Sequence, residues 1–178
     1  MSIRIVTDSA CDLPDDLVER YGIEIVPLNI RFGDEEYVDR FELDVTSFYD
    51  KLAGHAALPE TSAPAPGRFQ EAFEKQAAAG ADTVICINLA SGLSATMESA
   101  QQAAKSVDVD VRVIDTQTVS GAIGLSCIEA AQAAEAGKSA DEIVADLTEK
   151  AERTHIFGAL NTLENLKKGG RIGGAQAL

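Results

Sequence analysis

Thr83-Val84-Ile85-Cys86-Ile87-Asn88-Leu89 is a near-continuous apolar run of strand length, the mark of a β-strand covered on both faces. The patterns on either side of it are helical. Before it, Pro66 to Ala79 places Phe69 and Phe73 four apart on one helical face and stops at Gly80. After it, Ser94 to Ser106 reads as a helix, Val111 to Ile114 as a strand ending at Asp115-Thr116, and Ser120 to Ala136 as an Ala-rich helix stopped by Gly137. Ser139 and Glu142 form a capping box for a helix running to about Arg153, and Ile156 to Leu160 reads as a further strand. Towards the N-terminus, Ile3 to Thr7 is a short strand. Asp12 caps a helix with Pro14 in its first turn and Tyr21-Gly22 at its close. Ile23 to Phe32 is β-rich, and Thr46 to Leu52 is a short helix ended by Gly54. Strands separated by helices of this length imply right-handed crossovers, hence an α/β fold with a mainly parallel sheet and helices on both faces.

The chain has 178 residues, enough for one domain that buries about 70% of its unfolded surface. Its formal charge of -14 argues against sequence-independent nucleic-acid binding, which needs clustered Lys and Arg to displace counterions, and against docking on anionic lipid. Cys11, Cys86 and Cys127 are far apart, odd in number and without a C-x-x-C pair, which points to buried thiols in a reducing compartment rather than a metal site. No signal peptide pattern opens the sequence and no apolar run is long enough to span a bilayer, so the expectation is a cytoplasmic protein without stable membrane insertion. No metal, nucleotide or other cofactor signature is present.

In parallel sheets ligands bind outside the carboxyl ends of the strands. Asp8-Ser9, Ser91 to Thr96 and Asp115 to Ser120 all follow predicted strands, so all three fall on one rim. Two hydroxyl-bearing turns, Thr61-Ser62-Ala63-Pro64 and Leu93-Ser94-Ala95-Thr96, lie where helices are expected to begin. Free N-H groups and the dipole at a helix start favour a carboxylate or phosphate there. Simple capping explains either turn alone; convergence of several hydroxyl-rich loops favours an anion site.

Together these stretches resemble the N-terminal part of the DegV family, proteins that bind one fatty acid and, in bacteria, present it to a fatty acid kinase. The matching residues are Thr7-Asp8-Ser9 with Asp12-Leu13, Thr61-Ser62-Ala63-Pro64, Leu93-Ser94-Ala95-Thr96, Val113-Ile114-Asp115-Thr116, and Leu163 to Ile172. The resemblance implies that hydroxyls of Thr61, Ser62 and Ser94, with the turn at Ala95, hold the carboxylate of a long-chain fatty acid. Asp8, Ser9, Thr96, Asp115 and Thr116 are expected to form or support the rim. It further implies a lipid carrier rather than an enzyme, with a fatty acid kinase as partner that converts the ligand to an acyl-phosphate. Ala95 stands where the family usually has glycine, so a methyl there is expected to crowd the carboxylate if the backbone needs positive φ.

The resemblance divides the chain into an α/β domain, residues 1–160, and a connecting segment, residues 161–178, whose Gly169-Gly170-Arg171-Ile172-Gly173-Gly174 motif leads in relatives into a second domain. Here the sequence ends at Ala175-Gln176-Ala177-Leu178, so a shortened or truncated protein with exposed apolar surface and a tendency to self-associate is expected. Three of the fifteen basic residues, Lys167, Lys168 and Arg171, fall within five positions. The lysines suit a helix C-terminus, and Arg171 is the candidate for contact with the kinase. Two alternatives remain open at the level of sequence. Gly92-Leu93-Ser94-Ala95-Thr96 resembles a nucleophile elbow lacking its last glycine, with Asp115 and His155 in hydrolase order, and the chain also suits a non-binding protein-interaction domain.

Overall fold

The computed structural model describes residues 2–55 and 57–172. Four strands, β1 (Ile3–Asp8), β2 (Glu24–Val26), β6 (Thr83–Asn88) and β7 (Asp110–Asp115), form one sheet in the order β2-β1-β6-β7, with every pairing parallel. Alternation of side chains explains the apolar run in β6, because all six of its residues are buried between two cores. On one face Ile5, Ile85, Ile87 and Ile114 pack against α5 (Gly121–Glu135) and α6 (Ala140–Arg153) through Ile123, Cys127, Ile143 and Leu147. On the other, Val6, Val84 and Cys86 pack against α3 (Pro66–Ala78) and α4 (Thr96–Ala104) through Phe69, Phe73 and Ala100. The predicted α/β architecture is therefore present, including the Ser139/Glu142 capping box at the start of α6.

Differences from the sequence reading cluster around the small strands. The β-rich stretch Ile23 to Phe32 is divided into β2 and β3 (Asn29–Phe32), with Pro27 between them, where no backbone N-H is available for a ladder. Strand β3 belongs to a second, antiparallel sheet in the order β4-β3-β5, with β4 spanning Glu35–Val38 and β5 spanning Glu60–Ser62. Gly33 and Asp34 form the two-residue turn between paired Phe32 and Glu35, and Gly33 adopts φ 61°. Thr61 and Ser62 thus lie in an edge strand, four to five residues before α3, rather than at a helix start. Helix α3 is opened by Ala65 without a side-chain cap. Asp12 does not cap α1 (Asp15–Tyr21). It closes a 3-10 turn over Ser9–Cys11 in the left-handed conformation, φ 50°, and Pro14 precedes the helix. Residues 156–160 form no strand; their apolar side chains face solvent, Phe157 being 92% exposed. The remaining helices are α2 (Val45–Gly54), which covers β3 through Phe48 and Leu52, and α7 (Glu164–Lys168). Residues 173–178 of the expected connecting segment lie outside the described residues.

One close approach fixes how α5 meets the end of β1. A Cβ on Gly124 would lie 2.8 Å from the Cys11 carbonyl oxygen and 2.9 Å from Leu13 Cδ2. Gly124→Ala is therefore expected to destabilise the fold by about 1–3 kcal/mol through overpacking, in spite of about 1 kcal/mol of helix propensity gained. A lowered urea midpoint at unchanged m-value is the result that checks this.

Candidate functional site

Parallel pairing of Thr7 with Ile87 and of Asn88 with Asp115 brings the carboxyl ends of β1, β6 and β7 to one rim. Asp8 is fully buried there and binds the next strand to its own loop. Its Oδ2 accepts from Asn88 Nδ2 at 3.0 Å and from the Leu89 N-H at 2.9 Å, and its Oδ1 accepts from the Ala10 N-H at 3.1 Å. Burial pushes the Asp8 carboxyl above its ordinary value, against the opposing pull of these three donors. A carboxyl with a raised native pKa takes up its proton earlier in the folded than in the unfolded state, so its contribution to stability grows as pH falls through the native value. The exposed carboxylates Glu35, Asp44, Glu142 and Glu164 are held below their ordinary values by their donors and behave in the opposite sense. Asp8→Asn is accordingly expected to steepen the acid loss of stability. The wild-type advantage over the variant, measured by urea titration at descending pH, should widen towards the ordinary aspartate value.

The other rim residues form a second bracket. Asp115 accepts from the Ser91 hydroxyl at 2.5 Å, from the Ser91 N-H at 3.2 Å and from the Gln117 N-H at 2.9 Å. Thr116 donates from its hydroxyl to the Asn88 carbonyl at 2.9 Å. These bonds clamp the start of the 89–95 loop from both sides. At its end, Ser94 Oγ lies 2.9 Å from Thr96 Oγ1 and accepts from the Thr96 N-H at 3.3 Å. Thr96 is buried, Ser94 is half-buried and Ala95 is exposed. Ala95 has φ -77° and ψ 9°, an ordinary backbone for any residue, so its methyl group requires no strained turn. Ser9 is buried as well; its Oγ donates to Asp39 Oδ2 at 2.6 Å and accepts from the Leu28 N-H at 3.0 Å. Asp8, Ser9, Thr96 and Thr116 are thus framework, and Ser94 is the more open hydroxyl.

Thr61 and Ser62 are exposed and pair with Ile30 and Asn29 of β3, so their side chains fall on opposite faces of the small sheet. Thr61 has a partner that the sequence does not reveal: Arg171 donates to Thr61 Oγ1 at 3.3 Å and to the Gly169 carbonyl at 2.7 Å. The segment between α6 and Arg171 is consequently fixed near both ends. Thr154 shares a small crevice with Thr116, Thr118 and Ser126 beside the β7 end of the rim, and Arg171 meets β5. Between them Ile156, Phe157, Leu160, Leu163 and Leu166 are 37–92% exposed, and Leu93 and Leu125 are exposed on the β6–α4 loop and α5.

Nothing here assembles a hydrolytic triad. Ser94 is bonded to Thr96, Asp115 to Ser91 and Gln117, and among the described residues no hydrogen bond joins Ser94, Asp115 and His155. The three thiols are buried, with Cys11 pushed up to about 11 and Cys86 and Cys127 also raised by burial, which suits inert core sulfur. Among the described residues no group of His, Cys, Asp and Glu is arranged to hold a metal ion, and no helix is long and apolar enough to cross a membrane.

Fold and site together define an α/β domain with hydroxyl-bearing loops on the rim of its parallel sheet and, on the edge of its small sheet, a threonine that meets a basic residue beside a segment of exposed apolar side chains. A family profile described as "Uncharacterised protein, DegV family" matches residues 2–178, and the chain belongs to the DegV family. It is 39% identical to a DegV domain-containing protein of Clostridium perfringens, covering all of this chain and 64% of that one. It is 38% identical to a DegV domain-containing protein of Streptomyces coelicolor, covering 99% and 62%. The chain thus spans less than two thirds of the length of these curated relatives. Among solved structures, a DegV family protein from Thermus thermophilus described for its fatty acid binding superposes with a TM-score of 0.89 at 40% identity, over 99% of this chain and 63% of that one. DegV from Bacillus subtilis, described as a fatty acid binding protein, superposes at 0.88 with 34% identity, over 99% and 63%.

Proposed function

We propose that this chain is the carboxylate-holding part of a lipid carrier that binds a long-chain fatty acid and presents it to a fatty acid kinase. The observation that carries the reading is Arg171 seated on Thr61 at the end of a segment whose apolar side chains face solvent. A fatty acid needs both features. Its methylenes each gain about 0.8 kcal/mol on burial, and its carboxylate needs donors when it leaves water. Thr61 and Ser94 supply neutral hydroxyl donors. Arg171 turns from Thr61 to the incoming anion, so the head group is held without being enclosed by charge. A carboxylate held in this way keeps an oxygen free to attack the terminal phosphate of ATP in the kinase, yielding acyl-phosphate and ADP. The fatty-acid-binding relatives support the ligand class, and the kinase step extends from the resemblance.

Native mass spectrometry of the purified protein, followed by denaturing extraction, tests the ligand directly. A stoichiometric fatty acid is the expected result; a protein that is empty and also refuses added oleate and palmitate would overturn the reading for this chain. Left uncovered, the same apolar residues favour self-association. Sedimentation velocity is therefore expected to show larger species as concentration rises, and fewer of them after oleate is added.

A further inference from the structure

We propose that the cleft between the start of α1 and helix α2 is a docking groove for a cationic amphipathic helix of a partner protein. The cleft has a volume of about 680 Å³ and is not lined by Thr61, Ser94 or Arg171, and Ile30 in its floor is the cross-strand partner of Thr61. Its floor is apolar: Leu13, Ile30 and Leu43 line it and are 5–8% exposed. One wall is α2, which turns Phe48 towards β3 and leaves Val45 and Tyr49, one turn apart, 74% and 62% exposed at the cleft. Large apolar side chains spaced four apart over an apolar floor match the way grooves receive one face of a helix.

Charge selects the occupant. Among the described residues, Asp12, Asp15, Asp39 and Asp44 line the cleft against a single cation, Arg40, and Arg40 is already paired with Asp15. A second copy of this chain, at a net charge of -14, would bring like charge to the groove. A helix with leucine-like residues on one face and lysine or arginine along its flanks satisfies floor and rim together.

A synthetic leucine/lysine amphipathic helix, with a leucine/glutamate helix of equal length as its counterpart, is the probe, titrated by fluorescence anisotropy against the full chain at physiological ionic strength. The lysine helix should bind and the glutamate helix should not. Val45→Ala with Tyr49→Ala should weaken binding about tenfold or more, as removal of interface anchors does. Asp12→Asn, which suits the left-handed backbone at that position, should weaken it about twofold to fivefold by removing one rim charge. Leu125→Ala, on α5, should change nothing. Failure of the lysine helix to bind, equal binding of both helices, or loss of binding with Leu125→Ala but not with the α2 pair would each overturn the proposal.

Discussion

The double variant Thr61→Ala with Ser94→Ala should lose about a hundredfold or more in affinity for palmitate or oleate, with the fold intact. The magnitude follows from the chemistry of the head group. A hydrogen bond to a charged partner contributes about 1.5–3 kcal/mol, and two such bonds lost together correspond to at least two orders of magnitude in Kd. The fold should tolerate the change. Thr61 is exposed on an edge strand, and among the described residues the Ser94 hydroxyl bonds within its own turn, to Thr96. Removing Arg171 separates the kinase contact expected from the sequence from the carboxylate contact proposed on its position beside Thr61. If Arg171 receives the carboxylate, Arg171→Ala weakens fatty acid binding by about tenfold. If it meets only the kinase, affinity is unchanged and acyl-phosphate formation falls. Isothermal titration with oleate, followed by kinase turnover on the loaded protein, distinguishes these outcomes. Full affinity in the double variant would place the head group elsewhere and remove the case for Thr61 and Ser94.

The main sheet was legible because burial on both faces leaves a compositional trace: the six consecutive buried residues of β6 are mostly apolar, and its buried Asn88 is paired with Asp8. The Ser139/Glu142 capping box was legible because capping is local. The small sheet was not, because β4 and β5 are three or four residues long, mostly exposed, and rich in acidic residues that carry little strand propensity. Gly33-Asp34 was its readable signal, a two-residue hairpin turn after Phe32. Ile156 to Leu160 failed in the other direction. Its residues look like a strand, yet among the described residues none pairs with them in a sheet, and apolar composition alone cannot say whether a partner exists. Hydroxyl-rich loops on one rim were readable from strand order, but their division into framework and open donors was not. Asp8 and Thr116 are committed to Asn88 and Leu89 by contacts that cross roughly thirty to eighty positions of sequence, and the Arg171 to Thr61 contact spans 110.

Phe73→Ala should cost about 3–5 kcal/mol, a large fraction of the 5–15 kcal/mol that holds a domain of this size together. Phe73 and Phe69 are completely buried, four apart on α3, with ring centroids 6.0 Å from each other, and they pack between α3 and the sheet residues Val6, Val84 and Cys86. The loss comprises both the transfer of the ring and the void left behind. Phe73→Leu should cost much less, because it keeps most of the volume. The position also links the core to the ligand. Helix α3 begins four residues after Ser62, and the buried Pro64 between them ties β5 to that helix. If Thr61 holds the carboxylate, a saturating fatty acid should restore part of the lost stability in Phe73→Ala, since a ligand that binds only the folded state stabilises it by mass action. Thermal unfolding with and without oleate gives the answer. A variant that unfolds at the wild-type temperature would mean that α3 does not shield this face of the sheet, whereas a destabilised variant that oleate fails to rescue would separate the core of the domain from its ligand.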